Sequence, residues 1–323
     1  MPAMIASHCR GCGARIESEP SATTPWECPQ CGRALAACRP STDPPGPLDS
    51  HLQLFRGIGP KGQEKLRQAG VRTWRDLATP AAGIPLSPAK RRTLACEAAA
   101  CLDRLEAGDA RFFHEKLAAR ERWRLFPHFR RQTAYLDIET TGLSPGWDEV
   151  TTIALYDGTR IRCYVNGKNL DEFPADIAAY DLLVTYNGTQ FDLPFLKTSF
   201  GAPLQQAHID LRFVLAAMGF KGGLKTCERL LGLKKRATAG IDGFAAVQLW
   251  REYRRTRRKP LLETLLAYNV EDTVILERLL AIAHNRAVES DNAPCAPLAL
   301  PDPPANPFRA DPDVVRRFRS LLY

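Results

Sequence analysis

The sequence predicts an α/β fold for its central part, about residues 132–287, with a mixed sheet flanked by helices. The first observation is a set of three apolar segments with strand periodicity, namely 133–139, 150–156 and 161–165. The second is Asp157-Gly158 between the last two segments, which favours a hairpin turn and therefore an antiparallel meander. The third is the alternation of apolar and helical segments that follows, which is typical of parallel strands covered on both faces.

The later segments continue this order. We predict a helical stretch near 171–180, a strand at 182–186, a helix around 192–200, a short strand at 208–210 and mostly helices to about 285. The sheet is therefore expected to begin as a meander and to become parallel in its second half.

Smaller units are predicted on both sides of this domain. They are a zinc ribbon over 1–38, a linker over 39–50, a small all-α helix-hairpin-helix module over 51–105, a basic helical connector over 106–131 and a Pro-rich tail over 288–323. The connector is predicted to be helical until Pro127. The tail is expected to be mobile, although 314–322 have the pattern of a short terminal helix.

The composition favours a nucleic-acid partner. The formal net charge of +8 and the pI near 9.0 suit a polyanion, because each neutralised phosphate releases counterions. Many soluble proteins are mildly basic without such a partner, so charge alone leaves the two interpretations about even. The sequence has no run of 18 apolar residues and no secretion signal, so we expect a cytoplasmic protein with reduced cysteines and no membrane partner.

Two acidic residues occupy one face of the first predicted strand. Asp137 and Glu139 lie two apart, so their side chains leave the same face of the sheet and can share one metal ion. The glycine that follows at Gly142 ends the strand in a tight turn, which places both carboxylates at an open sheet edge.

Two further acids are predicted to reach the same edge. Asp192 follows the strand at 182–186 and the turn that begins at Asn187, where the chain reverses. Asp272 lies four residues after Tyr268 in a helical stretch, so the acid and the phenol share one helical face. Four hard oxygen ligands select Mg²⁺ or Mn²⁺, and two such ions can clamp the attacking and leaving oxygens of a phosphoryl transfer. Tyr268 could then orient or deprotonate the attacking water.

Three motifs resemble, in order, those of the DEDDy branch of the DnaQ-like 3′→5′ exonucleases. They are Asp137-Ile138-Glu139-Thr140-Thr141-Gly142, Asn187-Gly188-Thr189-Gln190-Phe191-Asp192 and Tyr268-Asn269-Val270-Glu271-Asp272. The resemblance covers about 130–285. The segments 208–212, 223–225 and 231–232 are similar to those of YprB-like ribonuclease H-like proteins within that superfamily, which implies a ribonuclease H-like fold.

The resemblance also implies a role for each motif residue. Asp137, Glu139 and Asp272 would bind one ion, and Asp137 with Asp192 would hold the second. Tyr268 would serve the nucleophilic water. Lys225 is implied as a phosphate contact, and we expect Asn187 to contact nucleic acid. Asp210 is about equally well explained as a helix cap and as a partner that orients a metal ligand.

The N-terminal cysteines have the spacing of a structural zinc site. Two Cys-x-x-Cys pairs, each followed by glycine, are separated by fifteen residues and comprise Cys9, Cys12, Cys28 and Cys31. Four thiolates with no open position bind one structural Zn²⁺, and a unit this small could not fold on its apolar residues alone. Such ribbons serve nucleic-acid and protein partners about equally often, so a protein partner through the ribbon or the tail stays open.

Other segments are predicted to touch the nucleic-acid backbone. Gly57 and Gly59 let the chain approach a phosphate, with Lys61 beside them at the start of a helix. The alternative is a glycine turn in a helical spacer. The basic run at 251–259, and the smaller one at 234–236, could follow a phosphate backbone or be solvated helix faces.

The sequence therefore predicts a metal-dependent nuclease, a two-metal-ion 3′→5′ exonuclease of DNA or RNA that acts on a single strand or a 3′ end in repair or processing. Polarity comes from the resemblance alone. One alternative is a structure-specific endonuclease or an RNase, since the same metal cluster can cut either sugar. Another is a nucleic-acid-binding or scaffold protein that does not catalyse; the intact set of motif residues argues against it.

Overall fold

The computed structural model describes residues 5–8, 15–18, 46–79, 83–233, 236–291 and 295–319. Near the N-terminus, β1 (Ile5–His8) pairs antiparallel with β2 (Arg15–Ser18), with Ile5 opposite Ser18. The four cysteines of the predicted zinc ribbon lie outside the described residues, so that site stays a prediction.

Helices dominate the segment before the sheet. They are α1 (Pro60–Gln68), α2 (Trp74–Ala78), α3 (Pro88–Glu106), α4 (Ala110–Lys116) and α5 (Phe126–Phe129). Buried apolar residues of this segment, among them Trp74 and Phe113, belong to one apolar cluster that continues under the sheet. The two rings stack with centroids 5.4 Å apart. The segment therefore packs against the α/β domain.

The connector, which is predicted to be helical until Pro127, consists of short helices. Gly108 separates α3 from α4, and its φ of +65° is a left-handed conformation that glycine adopts most readily. A 3-10 helix follows α4 over Ala119–Leu125. Phe126 then contacts Tyr135 of the first sheet strand with ring centroids 6.4 Å apart. Arg130 pairs with Glu277 at 2.9 Å. The connector thus helps to cover one face of the sheet.

Five strands form the central sheet. They are β3 (Thr133–Thr140), β4 (Val150–Tyr156), β5 (Ile161–Val165), β6 (Leu182–Thr185) and β7 (Ala207–Asp210), in the order β5-β4-β3-β6-β7. The first three pair antiparallel, whereas β6 pairs parallel with β3 and with β7. The predicted mixed sheet flanked by helices is confirmed, and this topology is that of a ribonuclease H-like fold.

The remaining helices cover both faces of the sheet. They are α6 (Phe173–Ile177), α7 (Asp192–Phe200), α8 (Leu211–Ala217), α9 (Leu224–Leu230), α10 (Gly243–Thr256), α11 (Lys259–Ser290) and α12 (Pro312–Arg319). Ala134, Leu136 and Ile138 pack with α6 and α7 on one face, where each is at most 3% exposed. The alternate residues of β3 face α11, because successive side chains of a strand point to opposite sides. The two acids of β3 therefore lie on the α11 side.

The described part of the C-terminal segment contains the end of α11 and the helix α12. α11 ends at Ser290, beyond the predicted end of the α/β domain at residue 287. Its C-terminal cap residue, Asp291, forms an ion pair with Arg124. α12 buries Val314 and Phe318 against α10 and α11. No helix among the described residues is long and apolar enough to cross a membrane.

Candidate active site

β3 delivers two carboxylates to the sheet face beneath α11. Asp137 lies opposite Ala154 of β4, and Glu139 lies opposite Thr152. The pairing shifts between Glu139 and Thr140, a local irregularity that ends the regular ladder directly after the second acid. At Gly142 an added Cβ would lie 2.5 Å from the Asp148 carboxylate, so this tight turn requires glycine.

α11 supplies the third carboxylate. One carboxylate oxygen each of Asp137, Glu139 and Asp272 lies within 4.8 Å of the others, which is close enough for one cation to contact all three. Asn269, one turn before Asp272, donates its amide to Asp137 Oδ2 at 2.7 Å and accepts from Thr152 Oγ1 at 3.0 Å. Asn269 therefore fixes the orientation of Asp137.

Asp192 is the first residue of α7 and is only 3% exposed. Its carboxylate accepts hydrogen bonds from its own backbone N–H and from that of Ile138, between the two acids of β3. Its Oδ1 atom is buried and has no hydrogen-bond partner among the described residues. The turn before it is tight, because a Cβ on Gly188 would lie 2.1 Å from Thr185 Oγ1.

Asp210, at the end of β7, caps a helix and also accepts hydrogen bonds from a neighbouring turn. Its Oδ1 accepts from the backbone N–H of Arg212 at 3.1 Å, which caps α8. The same carboxylate accepts from the N–H groups of Asn187 at 2.8 Å and Thr189 at 3.1 Å. It thus braces the turn that precedes Asp192, where Asn187 adopts a φ of +66°.

Burial and neighbouring negative charges raise the pKa values of three of the acids. Burial, and then the charge of Asp192, raise the pKa of Asp137 to about 8. Burial raises the pKa of Asp192 to about 7, with a further contribution from Asp210. Burial and the charge of Asp137 raise the pKa of Glu139 well above its ordinary value. Such a cluster favours a bound cation, because a cation offsets both the burial and the repulsion.

A buried arginine occupies one side of the cluster. Arg236 forms ion pairs with Glu228 on α9 and with Asp272, and its side chain is 10% exposed. Glu271 accepts from the backbone N–H of Thr238 at 3.3 Å, which ties the arginine's loop to α11. The sequence placed Arg236 in a basic run that could follow a phosphate backbone or be a solvated helix face, whereas the structure holds it in these two ion pairs. Glu228 was not predicted, because no sequence pattern separates it from a surface acid.

Tyr268 lies beside the acids, as its spacing from Asp272 predicts. It is 4% exposed, and burial together with the charges of Glu139 and Asp137 raises its pKa well above the ordinary value. The phenol therefore stays protonated, which favours a hydrogen-bonding role over that of a base. Lys225 Nζ donates to the Tyr268 hydroxyl at 2.9 Å and also to the carbonyl of Ile241.

The donor set fits divalent magnesium or manganese. All four acids offer hard oxygen atoms, and three of them converge. Asp192 Oδ1 is buried and receives no hydrogen bond from the described residues, so it is free to contact a cation. Asp137, Glu139 and Asp272 would hold one ion, and Asp192 would complete a second position with Asp137.

The other residues expected to touch nucleic acid lie outside this cluster. Gly57 adopts a φ of +76° and its carbonyl accepts from Lys90 Nζ at 2.9 Å, while Gly59 precedes α1 and Lys61 is exposed in its first turn. Asn187 Oδ1 accepts from Arg212 at 2.5 Å. Contact of these residues with nucleic acid stays a prediction.

Comparison with known proteins finds one family model that matches the α/β domain. Residues 134–283 match the family RNase_H_2, which is described as RNase_H superfamily. No curated protein sequence matches the chain.

Two solved structures are similar in part. A family B DNA polymerase from the archaeon Pyrobaculum calidifontis is 19% identical with a TM-score of 0.35, over 51% of this chain and 27% of that one. Brucella melitensis NrnC bound to pGG is 19% identical with a TM-score of 0.34, over 61% of this chain and 87% of that one. The chain thus spans about a quarter of the polymerase's length.

Proposed function

We propose that this protein is a metal-dependent nuclease, and specifically a two-metal-ion 3′→5′ exonuclease that hydrolyses phosphodiester bonds of DNA or RNA. The observation that carries the proposal is the convergence of Asp137, Glu139 and Asp272 within 4.8 Å, together with the buried Asp192, whose Oδ1 has no hydrogen-bond partner among the described residues. A cluster of buried acids costs stability, and a metal-dependent reaction explains why a fold would keep it.

The chain's own residues hold and orient the reacting groups. Bound divalent ions would supply a low-pKa water and stabilise negative charge on the phosphate. Asn269 fixes Asp137, Asp210 fixes the turn before Asp192, and Lys225 fixes the Tyr268 hydroxyl. A protonated Tyr268 suits the positioning of a water or of a phosphate oxygen by a hydrogen bond.

The match of residues 134–283 to the RNase_H superfamily and the net charge of +8 both support a nucleic-acid substrate. Polarity from the 3′ end, and a role in repair or processing, rest on the resemblance of the three motifs to DEDDy exonucleases. A structure-specific endonuclease and a non-catalytic scaffold are the competing outcomes.

One experiment separates these outcomes. A 5′-labelled single strand, a duplex and an RNA strand are each incubated with Mg²⁺ or Mn²⁺ and the full chain, Asp192→Asn, or the control Asp171→Asn, which removes an exposed acid. A ladder of products that shortens from the 3′ end, and is lost only in Asp192→Asn, supports the proposal. A single internal cut indicates an endonuclease, and binding without metal-dependent cleavage refutes catalysis.

A further inference from the structure

The C-terminal helix α12 is docked onto the α/β domain. Val314 and Phe318 are buried, 7% and 2% exposed, in an apolar cluster that includes Trp250 and Tyr253 of α10. Arg317 donates to both carboxylate oxygens of Glu252 at 2.8 and 2.7 Å. α12 lies beyond the segment that matches the RNase_H superfamily, so it is an addition to that domain.

Docking brings two basic segments together. We call the resulting patch the α10–α12 basic surface, and it comprises Arg251, Arg254, Arg255, Arg257, Arg258, Lys259, Arg316, Arg317 and Arg319, all exposed. Three of these nine cations pair with carboxylates, namely Lys259 with Glu263, Arg316 with Asp313 and Arg317 with Glu252. The other six form no ion pair with any carboxylate in the described ranges. The patch therefore keeps a strong positive charge.

This surface begins next to the candidate active site. The stem of Arg319 lies across Gly240, where an added Cβ would be 2.7 Å from Arg319 Cδ. The next residue, Ile241, accepts the hydrogen bond from Lys225 that positions Tyr268. From there α10 extends away for 14 residues, which at a rise of ~1.5 Å per residue is about 21 Å.

We propose that the α10–α12 basic surface binds the phosphate backbone of the nucleic-acid strand whose end lies in the active site. The proposal rests on the proposed function and adds to it a preference for strands long enough to reach the arginines at the far end of α10. Arginine guanidinium groups pair with phosphate oxygens and make no base-specific contact, so their contribution to binding affinity is independent of nucleotide sequence. The docked α12 extends the surface towards the site, because Arg319 lies against Gly240.

The test measures the salt dependence of strand binding. Every protein is the full chain with Asp192→Asn, so that a fluorescein-labelled 20-nucleotide strand stays intact during anisotropy titrations at several salt concentrations. The test variant adds Arg255→Gln and Arg258→Gln, two exposed side chains that form no hydrogen bond, ion pair or ring contact with other described residues. The control adds Arg160→Gln and Arg229→Gln, which removes the same charge from exposed positions outside the surface.

Loss of two phosphate contacts should reduce the slope of log affinity against log salt by ~1.4 and weaken binding at 0.1 M salt by ~25-fold. The same loss is expected for strands of different base composition. Equal slopes in the test and control proteins would overturn the proposal. Competition by polyglutamate as strong as that by unlabelled strand at equal charge would also overturn it, in favour of an acidic protein partner.

The two proposals fail separately. Cleavage by the unsubstituted chain with an unchanged salt slope in the test variant would leave the nuclease intact and refute only the surface. A reduced salt slope in the test variant, without any metal-dependent cleavage by the unsubstituted chain, would support the surface as a strand-binding site and refute the nuclease.

Discussion

Asp192→Asn should stabilise the metal-free protein while it abolishes cleavage. The substitution removes one buried charge and keeps the shape of the side chain, whose Oδ1 has no partner among the described residues. Burial raises the pKa of Asp192 from 3.8 to about 7. The folded chain therefore holds a proton that the unfolded chain releases between these pH values, so Asp192 lowers the free energy of unfolding as pH rises from about 4 to 7.

The magnitude follows from those two pKa values. Relative to a neutral side chain, the ionised Asp192 costs ~4 kcal/mol at pH 8 and below ~1 kcal/mol at pH 4. Asp192→Asn should therefore raise the free energy of unfolding at pH 8 by up to ~4 kcal/mol, and the gain should shrink by most of that amount at pH 4.

Urea denaturation followed by far-UV circular dichroism, with a chelator present and at both pH values, measures this difference. The exposed Asp171→Asn serves as the matched control and should change neither value by more than ~0.5 kcal/mol. A variant that is less stable than the unsubstituted protein at pH 8, or a gain independent of pH, would refute the account of Asp192 as a buried charge.

Three further predictions address the surroundings of the site. Arg236→Gln removes a buried cation from Asp272, so calorimetric titration should show at least about tenfold tighter binding of Mn²⁺. Unchanged or weaker binding would contradict the idea that the charge of Arg236 opposes the metal ion. Burial lowers the pKa of His208 to about 4, so the free energy of unfolding falls as pH decreases from 6.5 towards 4. In urea denaturation, His208→Gln should remove ~2 kcal/mol of the stability that the unsubstituted protein loses between pH 7 and pH 5. Gly188→Ala should lower the free energy of unfolding by ~1–3 kcal/mol in the same assay, because the added Cβ would clash with Thr185. Gly243→Ala, where a Cβ has open space, should not destabilise the fold, and equal effects of the two variants would refute the packing argument.

The sheet and its acids could be predicted because their signals are local. Strand periodicity and the Asp157-Gly158 turn determine the meander, and that part of the prediction is confirmed. The placement of Asp137 and Glu139 on one face follows from the two-residue repeat of a strand, and the structure brings both to Asp272. Their roles as metal ligands stay proposals.

Long-range partners could not be predicted in the same way. Asn269 follows Asp137 by 132 residues, and only the packing of α11 on β3 shows that its amide reaches that carboxylate. The prediction of a helical connector likewise could not show where its helices end, because a basic pattern does not reveal the turn at Gly108 or the contact of Phe126 with the sheet. The zinc ribbon is untested, because its cysteines lie outside the described residues.

The contacts of the connector affect how the protein can be divided for experiments. The segment that matches the superfamily begins at residue 134, yet Phe126 lies against Tyr135 and Arg130 pairs with Glu277. Expression of 134–283 alone would expose an aromatic ring to water and leave a mostly buried carboxylate unpaired, so that fragment should aggregate. A fragment for crystallisation or mutagenesis should instead retain the connector and α12, because both pack on the α/β domain from outside the residues that match the superfamily.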